Sequence, residues 1–83
     1  MDIVIEFNES AFGHGFTRED IRQAMLNWKY DDIDGNNPGK HLLLGFDNKG
    51  RLLEIMYNVI DECTINVFHA MKCQKKYHHL LNS

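Results

Sequence analysis

The sequence predicts an α+β fold, in which an antiparallel meander sheet of three to four strands packs against a helical region near the N terminus and a C-terminal helix. Three observations support this class: a capped helical pattern follows one short alternating run, three β-rich runs occupy the middle of the chain, and a two-faced helical pattern closes it. Helical and strand patterns that are segregated along a chain are typical of α+β domains. The 83 residues suit a single domain over 1–83 with one modest core.

The first part of the chain predicts a strand and a helix. Residues 2–7, DIVIEF, alternate between apolar and polar side chains, as expected of a short strand with one buried face. Thr17 followed by Asp20 forms a capping box, in which each side chain satisfies a backbone donor of the first helical turn. Apolar residues then recur at helical spacing, at Ile21, Ala24, Met25 and Trp28. We expect a helix over 18–28.

The middle of the chain predicts a long loop and then the meander. Residues 29–40, KYDDIDGNNPGK, are rich in Asp, Asn and Gly and have no periodic apolar face, so they are expected to form the longest loop. Three β-rich runs follow, at 41–46, 51–60 and 63–70. The intervening DNKG and DE segments are turn-like, so neighbouring runs should pair antiparallel.

Neither the acidic loop nor the cysteines predict a metal or cofactor site. Placing Gly35 at the sixth position of a calcium-binding EF-hand loop puts Tyr30 at the first position and His41 at the twelfth, where carboxylates are required. Cys63 and Cys73 stand ten positions apart without a CxxC motif, which favours two thiols in a reducing compartment. We therefore expect no cofactor.

The charge is unevenly distributed. The formal net charge is −3, but all twelve acidic residues and six of the nine basic ones lie within 1–62, whereas 63–83 contains three lysines, three histidines and no acid. A local basic patch can concentrate an anion on an acidic protein, although a solvated helix surface explains three lysines equally well. No run of 18 apolar residues and no charged-then-apolar leader is present, so we expect a cytoplasmic protein without a membrane partner.

The C-terminal segment, projected as a helix, has two faces. The apolar face comprises Cys73, Tyr77, Leu80 and Leu81. The basic face comprises Lys72, Lys75, Lys76 and His79. The apolar face should dock on the sheet, and the outward basic face suits either a polyanion such as RNA or an acidic partner protein. The residues alone leave both partners open.

His69 ends the last predicted strand, in phase with Ile65 and Val67, immediately before the basic segment. A histidine there suits general acid or base catalysis, because imidazole exchanges protons near neutral pH. The alternative is a hydrogen-bonded histidine at a strand end.

Of the remaining polar residues, His14 lies in a glycine-flanked connection where a local hydrogen bond would explain it, and Arg51 follows a turn from which it could reach a phosphate.

Two stretches carry a resemblance to a known family. The run GFDNKGRLLEIMYNVIDECTINVFHAMKCQKKY resembles the second half of BrnT-like toxins of bacterial type II toxin–antitoxin modules, which belong to the RelE superfamily. In that family, a strand that ends in glycine is followed by a turn and by a strand that begins with Gly-Arg and ends near Tyr. A further strand then runs into Ser-Ala-Arg and a basic residue, and a basic terminal helix follows. Upstream, GHGFTREDI is similar to the family's KHGVSFEEA element, with His14 and Gly15 on its His-Gly pair. The likeness extends from about Phe7 to Tyr77.

The resemblance implies a RelE-like α+β fold and a metal-independent endoribonuclease that inhibits translation and growth. It also implies neutralisation by a cognate antitoxin bound at the active face, in a homodimer or a toxin–antitoxin hetero-oligomer. Position by position, the family's Ser-Ala-Arg-basic falls on His69, Ala70, Met71 and Lys72. Met71 therefore stands where the family has arginine, which removes a bidentate phosphate ligand.

On this hypothesis, RNA cleavage needs a base, cationic stabilisation of the phosphorane and an acid. The catalytic candidates are His69, Lys72 and Lys76. The RNA-binding candidates are Lys75, Tyr77, Arg51 and His14. The second hypothesis is a non-catalytic binding module of the same fold that docks an acidic protein, and the third is a metal- or redox-responsive protein that uses its cysteines and histidines.

Overall fold

The protein is described by a computed structural model that covers residues 2–35 and 39–82. In chain order its elements are β1 (Val4–Phe7), a first 3₁₀ helix (Glu9–Phe12), α1 (Arg18–Leu26), β2 (Trp28–Ile33), β3 (Lys40–Phe46), β4 (Leu52–Asp61), β5 (Thr64–Lys72) and a C-terminal 3₁₀ helix (Lys75–Asn82). The five strands form a mixed sheet in the order β1-β5-β4-β3-β2. The α+β class is therefore confirmed, whereas the antiparallel meander of three to four strands is wrong.

The predicted meander is wrong, first, for β1, which joins the sheet beside β5 and runs parallel to it. Val4 pairs with Thr64 and Phe7 with Val67, so the first strand and the last strand meet at one edge of the sheet. The strands β3, β4 and β5 do pair antiparallel, as expected from the turns between them. Alternation alone predicts that β1 is a strand, but not which strand it will lie beside.

The second error concerns β2, which occupies part of the predicted loop and pairs antiparallel with β3. Residues 36–38 of that loop lie outside the described residues. β2 is an edge strand, and its side chains are mostly exposed, including Asp31 and Asp32. Charged residues are common on edge strands because they discourage pairing with another chain. β2 therefore forms because its backbone pairs with β3, although its side chains show no apolar pattern.

Helix α1 begins at the predicted cap and ends two residues early. The Thr17 amide donates to Asp20 Oδ2 at 3.0 Å, and the Asp20 amide donates to Thr17 Oγ1 at 3.1 Å, so the capping box is confirmed. Asn27 caps the C-terminal end. Trp28, which the helical spacing places in the apolar stripe, instead begins β2 and is exposed, whereas Ile21 is fully buried.

One face of the sheet is covered by the first 3₁₀ helix and α1. The buried residues of this first face are Ala11, Ile21, Ala24, Leu43, Leu53, Ile55, Tyr57, Val67 and Ala70. Helix α1 packs closely against β3 at Gly45, where an added Cβ would lie 1.9 Å from the Ala24 carbonyl oxygen. The backbone of the helix therefore rests directly on the strand, and only glycine leaves room for it.

The other face, the second face, is covered by the C-terminal 3₁₀ helix. Tyr77, Leu80 and Leu81 pack there against Leu42 and Leu44. The predicted apolar face of the C-terminal segment therefore docks on the sheet, as expected. The segment is a 3₁₀ helix, and it begins at Lys75. Lys72, which the helical projection includes, instead ends β5. No helix within the described ranges has the length and hydropathy that a membrane crossing requires.

We predict that Gly45→Ala destabilises the protein by about 3 kcal/mol or more, because the new methyl group meets backbone atoms that cannot rotate away. Gly13→Ala is the matched control, since its Cβ would lie 3.8 Å from the Ser10 carbonyl oxygen and its φ is −65°. Urea unfolding followed by circular dichroism measures both variants. Equal stability of the two variants would contradict direct helix-on-strand packing at Gly45.

Candidate functional site

A buried carboxylate lies at the centre of the sheet. Glu54, on the middle strand β4, is 1 % exposed and its side chain points to the second face. Its Oε1 accepts a hydrogen bond from the Gln74 backbone amide at 2.9 Å, and its Oε2 accepts one from Gln74 Nε2 at 3.1 Å. His69 Nε2 lies 3.0 Å from the same Oε2. A carboxylate in this position is tolerated because these partners replace the water that it has lost.

A β-bulge directs His69 towards Glu54. Met56 pairs with His69, but the next residue of β4, Tyr57, pairs with Val67, so Phe68 is an extra residue in β5. A bulge interrupts the alternation of side chains between the two faces and re-aims those beside it. Val67 accordingly lies in the core of the first face, whereas His69 reaches Glu54 on the second. The phase expected for His69 relative to Val67 is therefore wrong.

His69 has a second histidine beside it. The rings of His14 and His69 lie with their centroids 5.7 Å apart and their planes at 76°, an edge-to-face contact. His14 belongs to the connection after the first 3₁₀ helix, and Ser10 of that helix donates a hydrogen bond to the Phe68 carbonyl in the bulge. The fold thus brings together two predicted site residues that are far apart in sequence. The His69 side chain remains 26 % exposed.

Predicted phosphate-binding residues meet in a second place, which we call the basic cavity. This cavity of about 490 Å³ is lined by Phe16, Gly50, Arg51, Leu52, Lys72, Cys73, Lys75 and His78. Lys72 pairs with Leu53, whose side chain lies in the core of the first face, so Lys72 is directed to that face. His69 lies three residues earlier, about 10 Å along the strand, and on the opposite face. The structure does not bring His69 and Lys72 together.

Arg51 lies in the basic cavity, but two carboxylates already neutralise much of its charge. Its Nε lies 2.7 Å from Asp47 Oδ2, and its Nη2 lies 3.3 Å from Asp20 Oδ1. The guanidinium carbon also lies 4.8 Å from the centre of the Phe16 ring. Among the described residues, Lys72 and Lys75 form no ion pair. These lysines, more than Arg51, supply the cavity's available positive charge.

Asp47 holds the turn that positions Arg51. Its buried side chain accepts hydrogen bonds from the backbone amides of Lys49 and Arg51, both at 2.9 Å, as well as the one from the guanidinium. Burial raises the pKa of the Asp47 carboxyl, but the bonds from Arg51 and Lys49 more than offset this and hold the pKa below its ordinary value. The β3–β4 turn therefore depends on an ionised carboxylate.

The remaining basic candidates lie on the C-terminal 3₁₀ helix. Lys76 is exposed, and its Nζ lies 5.1 Å from the centre of the Tyr77 ring. The Tyr77 ring also packs in the core of the second face, so only part of it is accessible to a nucleic-acid base. Lys76 can therefore bind an anion, whereas Tyr77 serves mainly to anchor the helix.

The cysteines do not pair with each other. Cys63 is partly exposed and Cys73 is buried, and neither forms a disulfide. Burial, together with the nearby negative charge of Glu54, raises the pKa of the Cys73 thiol. A raised pKa disfavours the reactive thiolate. Within residues 2–35 and 39–82, no group of three or more His, Cys, Asp or Glu side chains is arranged to hold a metal ion.

A polar cluster that the sequence does not predict lies on the first face, where β2, β3 and β4 are neighbours. The Tyr57 hydroxyl donates to Asp31 Oδ1 at 2.8 Å and contacts Oδ2 at 2.9 Å, and the His41 ring stacks on the Tyr57 ring at 4.8 Å. Burial and then the bond to Asp31 raise the pKa of Tyr57 well above its ordinary value. The sequence does not single out Asp31, because its segment has the composition of a loop.

Glu54 is the other residue that the sequence did not single out. In RLLEIMYNVI it occupies the polar position of an alternating strand, which normally faces solvent. One feature of the sequence indicates that Glu54 is buried: the C-terminal segment has an apolar face, which predicts that the second face of the sheet is also covered.

Comparisons of the chain with models of protein families, with curated proteins and with solved structures find no match.

We predict that Asp47→Asn lowers the free energy of unfolding by about 2 kcal/mol at pH 7, because the amide cannot accept all three hydrogen bonds. The folded-state pKa of Asp47 is depressed. Its stabilisation is therefore present above the unfolded value of about 3.9 and is lost as pH falls through the folded value. Urea unfolding at neutral and acidic pH should show the difference between variant and wild type shrinking in acid.

Asp2→Asn removes an exposed carboxylate and controls for the loss of one charge. It should leave stability unchanged within about 0.5 kcal/mol. A difference between Asp47→Asn and wild type that stays constant across the acidic range would contradict the role given to the ionised Asp47.

Proposed function

We propose that this protein is the toxin component of a bacterial type II toxin–antitoxin module, a metal-independent endoribonuclease of the BrnT-like group in the RelE superfamily. It would act on RNA in the cytoplasm, inhibit translation and growth, and be neutralised by a cognate antitoxin. One support is the resemblance over about residues 7–77. Another is the order of elements, in which a capped helix precedes four antiparallel strands and a basic terminal segment.

The observation that carries the proposal is the contact between partly exposed His69 and buried Glu54, at 3.0 Å. In metal-independent RNA cleavage, the 2′-hydroxyl attacks the adjacent phosphate and must lose its proton to a base. A carboxylate behind a histidine orients the ring and stabilises the imidazolium that forms. An exposed imidazole backed by a buried carboxylate is therefore suited to this proton transfer.

The same contact bears on Met71, which stands where the resemblance places an arginine. Met71 pairs directly with Glu54 across β4 and β5. Directly opposed side chains have Cβ atoms about 4.5–5.5 Å apart, so an arginine at this position would lie beside the carboxylate. In this chain His69 takes the place of that cation as the partner of Glu54. The reaction would then rely on histidine for its proton transfer.

RNA binding is assigned to the lysines. Lys72 and Lys75 line the basic cavity, and Lys76 lies exposed beside them in sequence. Because Lys72 lies about 10 Å from His69 along the strand, we assign it to holding the RNA backbone. His14, whose ring touches that of His69, is the second candidate at the cleavage position.

A non-catalytic binding module of the same fold is the second candidate. One observation favours it: His69 and Lys72 are directed to opposite faces of β5, so Lys72 does not lie beside the histidine. In that function the lysines would bind acidic side chains of a partner protein. The two candidates differ in whether RNA is cut.

We predict that induction of the wild-type protein in a bacterial host stops growth and fragments RNA, and that His69→Gln abolishes both effects. Glutamine keeps hydrogen bonding but cannot exchange a proton at neutral pH. His79→Gln, an exposed histidine on the C-terminal 3₁₀ helix, is the matched control and should remain toxic. Growth curves and RNA integrity are measured, with circular dichroism to establish folding. Normal growth with intact RNA for the wild type would refute the proposal.

Lys72→Ala and Lys75→Ala should each weaken RNA binding and reduce its salt dependence. For single-stranded RNA, the slope of log affinity against log salt falls by about 0.7 for each phosphate that the variant no longer neutralises. Binding is measured in the His69→Gln background, so that RNA stays intact. Lys29→Ala, an exposed lysine on β2, controls for net charge. Unchanged slopes for both cavity variants would show that RNA does not use the basic cavity.

A further inference from the structure

The hydrogen bonds around Glu54 determine where the proton of His69 resides. Two of the three groups that face the carboxylate are donors by their chemistry, namely the backbone amide and the side-chain amide nitrogen of Gln74. An ionised carboxylate only accepts hydrogen bonds. The third group, His69 Nε2, lies 3.0 Å from Oε2 and must therefore donate to it. In the neutral imidazole, a proton on Nε2 leaves Nδ1 unprotonated.

We propose that Glu54 is a positioning residue that holds His69 in the Nε2-protonated tautomer, and so makes Nδ1 the base that takes the proton from the RNA 2′-hydroxyl. The reaction part of this inference rests on the proposed function, whereas the tautomer rests on the hydrogen bonds alone. Glu54 touches no substrate, because it is 1 % exposed. It acts through His69.

The reaction breaks three bonds and forms three. The 2′ O–H bond breaks and its proton moves to Nδ1, while the 2′ oxygen forms a bond to the adjacent phosphorus. The bond between phosphorus and the 5′ oxygen breaks, and that oxygen takes a proton from water. The products are a 2′,3′-cyclic phosphate and a 5′-hydroxyl. Glu54 stays ionised throughout and stabilises the imidazolium until Nδ1 returns its proton to the hydroxide that remains in solvent.

The surroundings hold this arrangement in place. Gln74 lies just beyond the end of β5, and its Nε2 also donates a weak hydrogen bond to Met71 Sδ at 3.8 Å. The His14 ring contacts the His69 ring edge-on. Glu54 itself is fixed within the central strand of the sheet. The ring of His69 is thus held on one side by a carboxylate and on another by an aromatic edge, and part of it remains accessible.

Glu54→Gln should reverse the tautomer. The Gln74 backbone amide is a fixed donor, so the new side chain must turn its carbonyl oxygen to the position of Oε1. Its NH₂ group then occupies the position of Oε2, and the Gln74 side-chain amide, which donates there in the wild type, must turn its oxygen towards it. The NH₂ group also points at His69 Nε2. Nε2 must accept this hydrogen bond, which moves the ring proton to Nδ1. The isosteric variant therefore changes the donor and acceptor pattern with little change in shape.

Nitrogen-15 NMR of histidine-labelled protein tests the tautomer directly. Spectra are recorded over a series of pH values, and the tautomer is read on the high-pH plateau, where the His69 signals no longer change. Signals of His69 are assigned by their loss in His69→Gln. We expect the Nε2-protonated pattern in the wild type and in the control Glu62→Gln, which alters an exposed carboxylate, and the Nδ1-protonated pattern in Glu54→Gln. A wild-type ring protonated on Nδ1 would overturn the inference even if Glu54→Gln failed to fold.

A cleavage assay separates this inference from the proposed function. If both hold, folded Glu54→Gln should show kcat reduced by about 10²-fold or more with KM unchanged, because base catalysis is removed and RNA binding is not. Wild-type kcat in folded Glu54→Gln would overturn the positioning role. A wild-type protein that cuts no RNA would overturn the proposed function and the reaction step, and the NMR result would still decide the tautomer.

Discussion

The burial of the Glu54 carboxylate is the constraint on which the second face of the sheet depends. Removing an ionised carboxylate from water costs several kcal/mol unless hydrogen bonds replace the lost hydration. Here Gln74 and His69 supply them, and these residues lie on either side of the end of β5. Because the buried carboxylate needs both sets of hydrogen bonds, it links the bulge that directs His69 with the turn that leads into the C-terminal 3₁₀ helix. That helix in turn covers Leu42 and Leu44, so one polar group links the candidate chemistry to the packing of this face.

The sheet separates His69 from Lys72. His69 and Glu54 lie on the second face, whereas Lys72 is directed to the first face and into the basic cavity. This separation follows from the alternation of side chains in β5, as the bulge modifies it. A long, flexible polyanion can contact both places, since they lie about 10 Å apart along one strand. Under the proposed function, one RNA strand would span both places.

Local pattern predicted the elements whose residues face a core. The structure confirms the capping box at Thr17, the three central strands and the apolar face that includes Tyr77, because burial imposes a period on such segments. The pattern does not reveal β2, because an edge strand buries little and so shows no period. It also predicts an α-helix that includes Lys72, because the apolar spacing of the C-terminal segment fits a helix and its charge does not reveal where β5 ends.

For the candidate site, the sequence shows which chemical groups are present: a histidine before a lysine-rich segment in a region without acids. Which of these groups meet depends on the folded chain. It brought His14 and Glu54 to His69, placed Lys72 on the opposite face, and matched Arg51 with Asp47 and Asp20. Strand pairing and a single extra residue in β5 set these neighbours, and neither leaves a periodic signal in the chain.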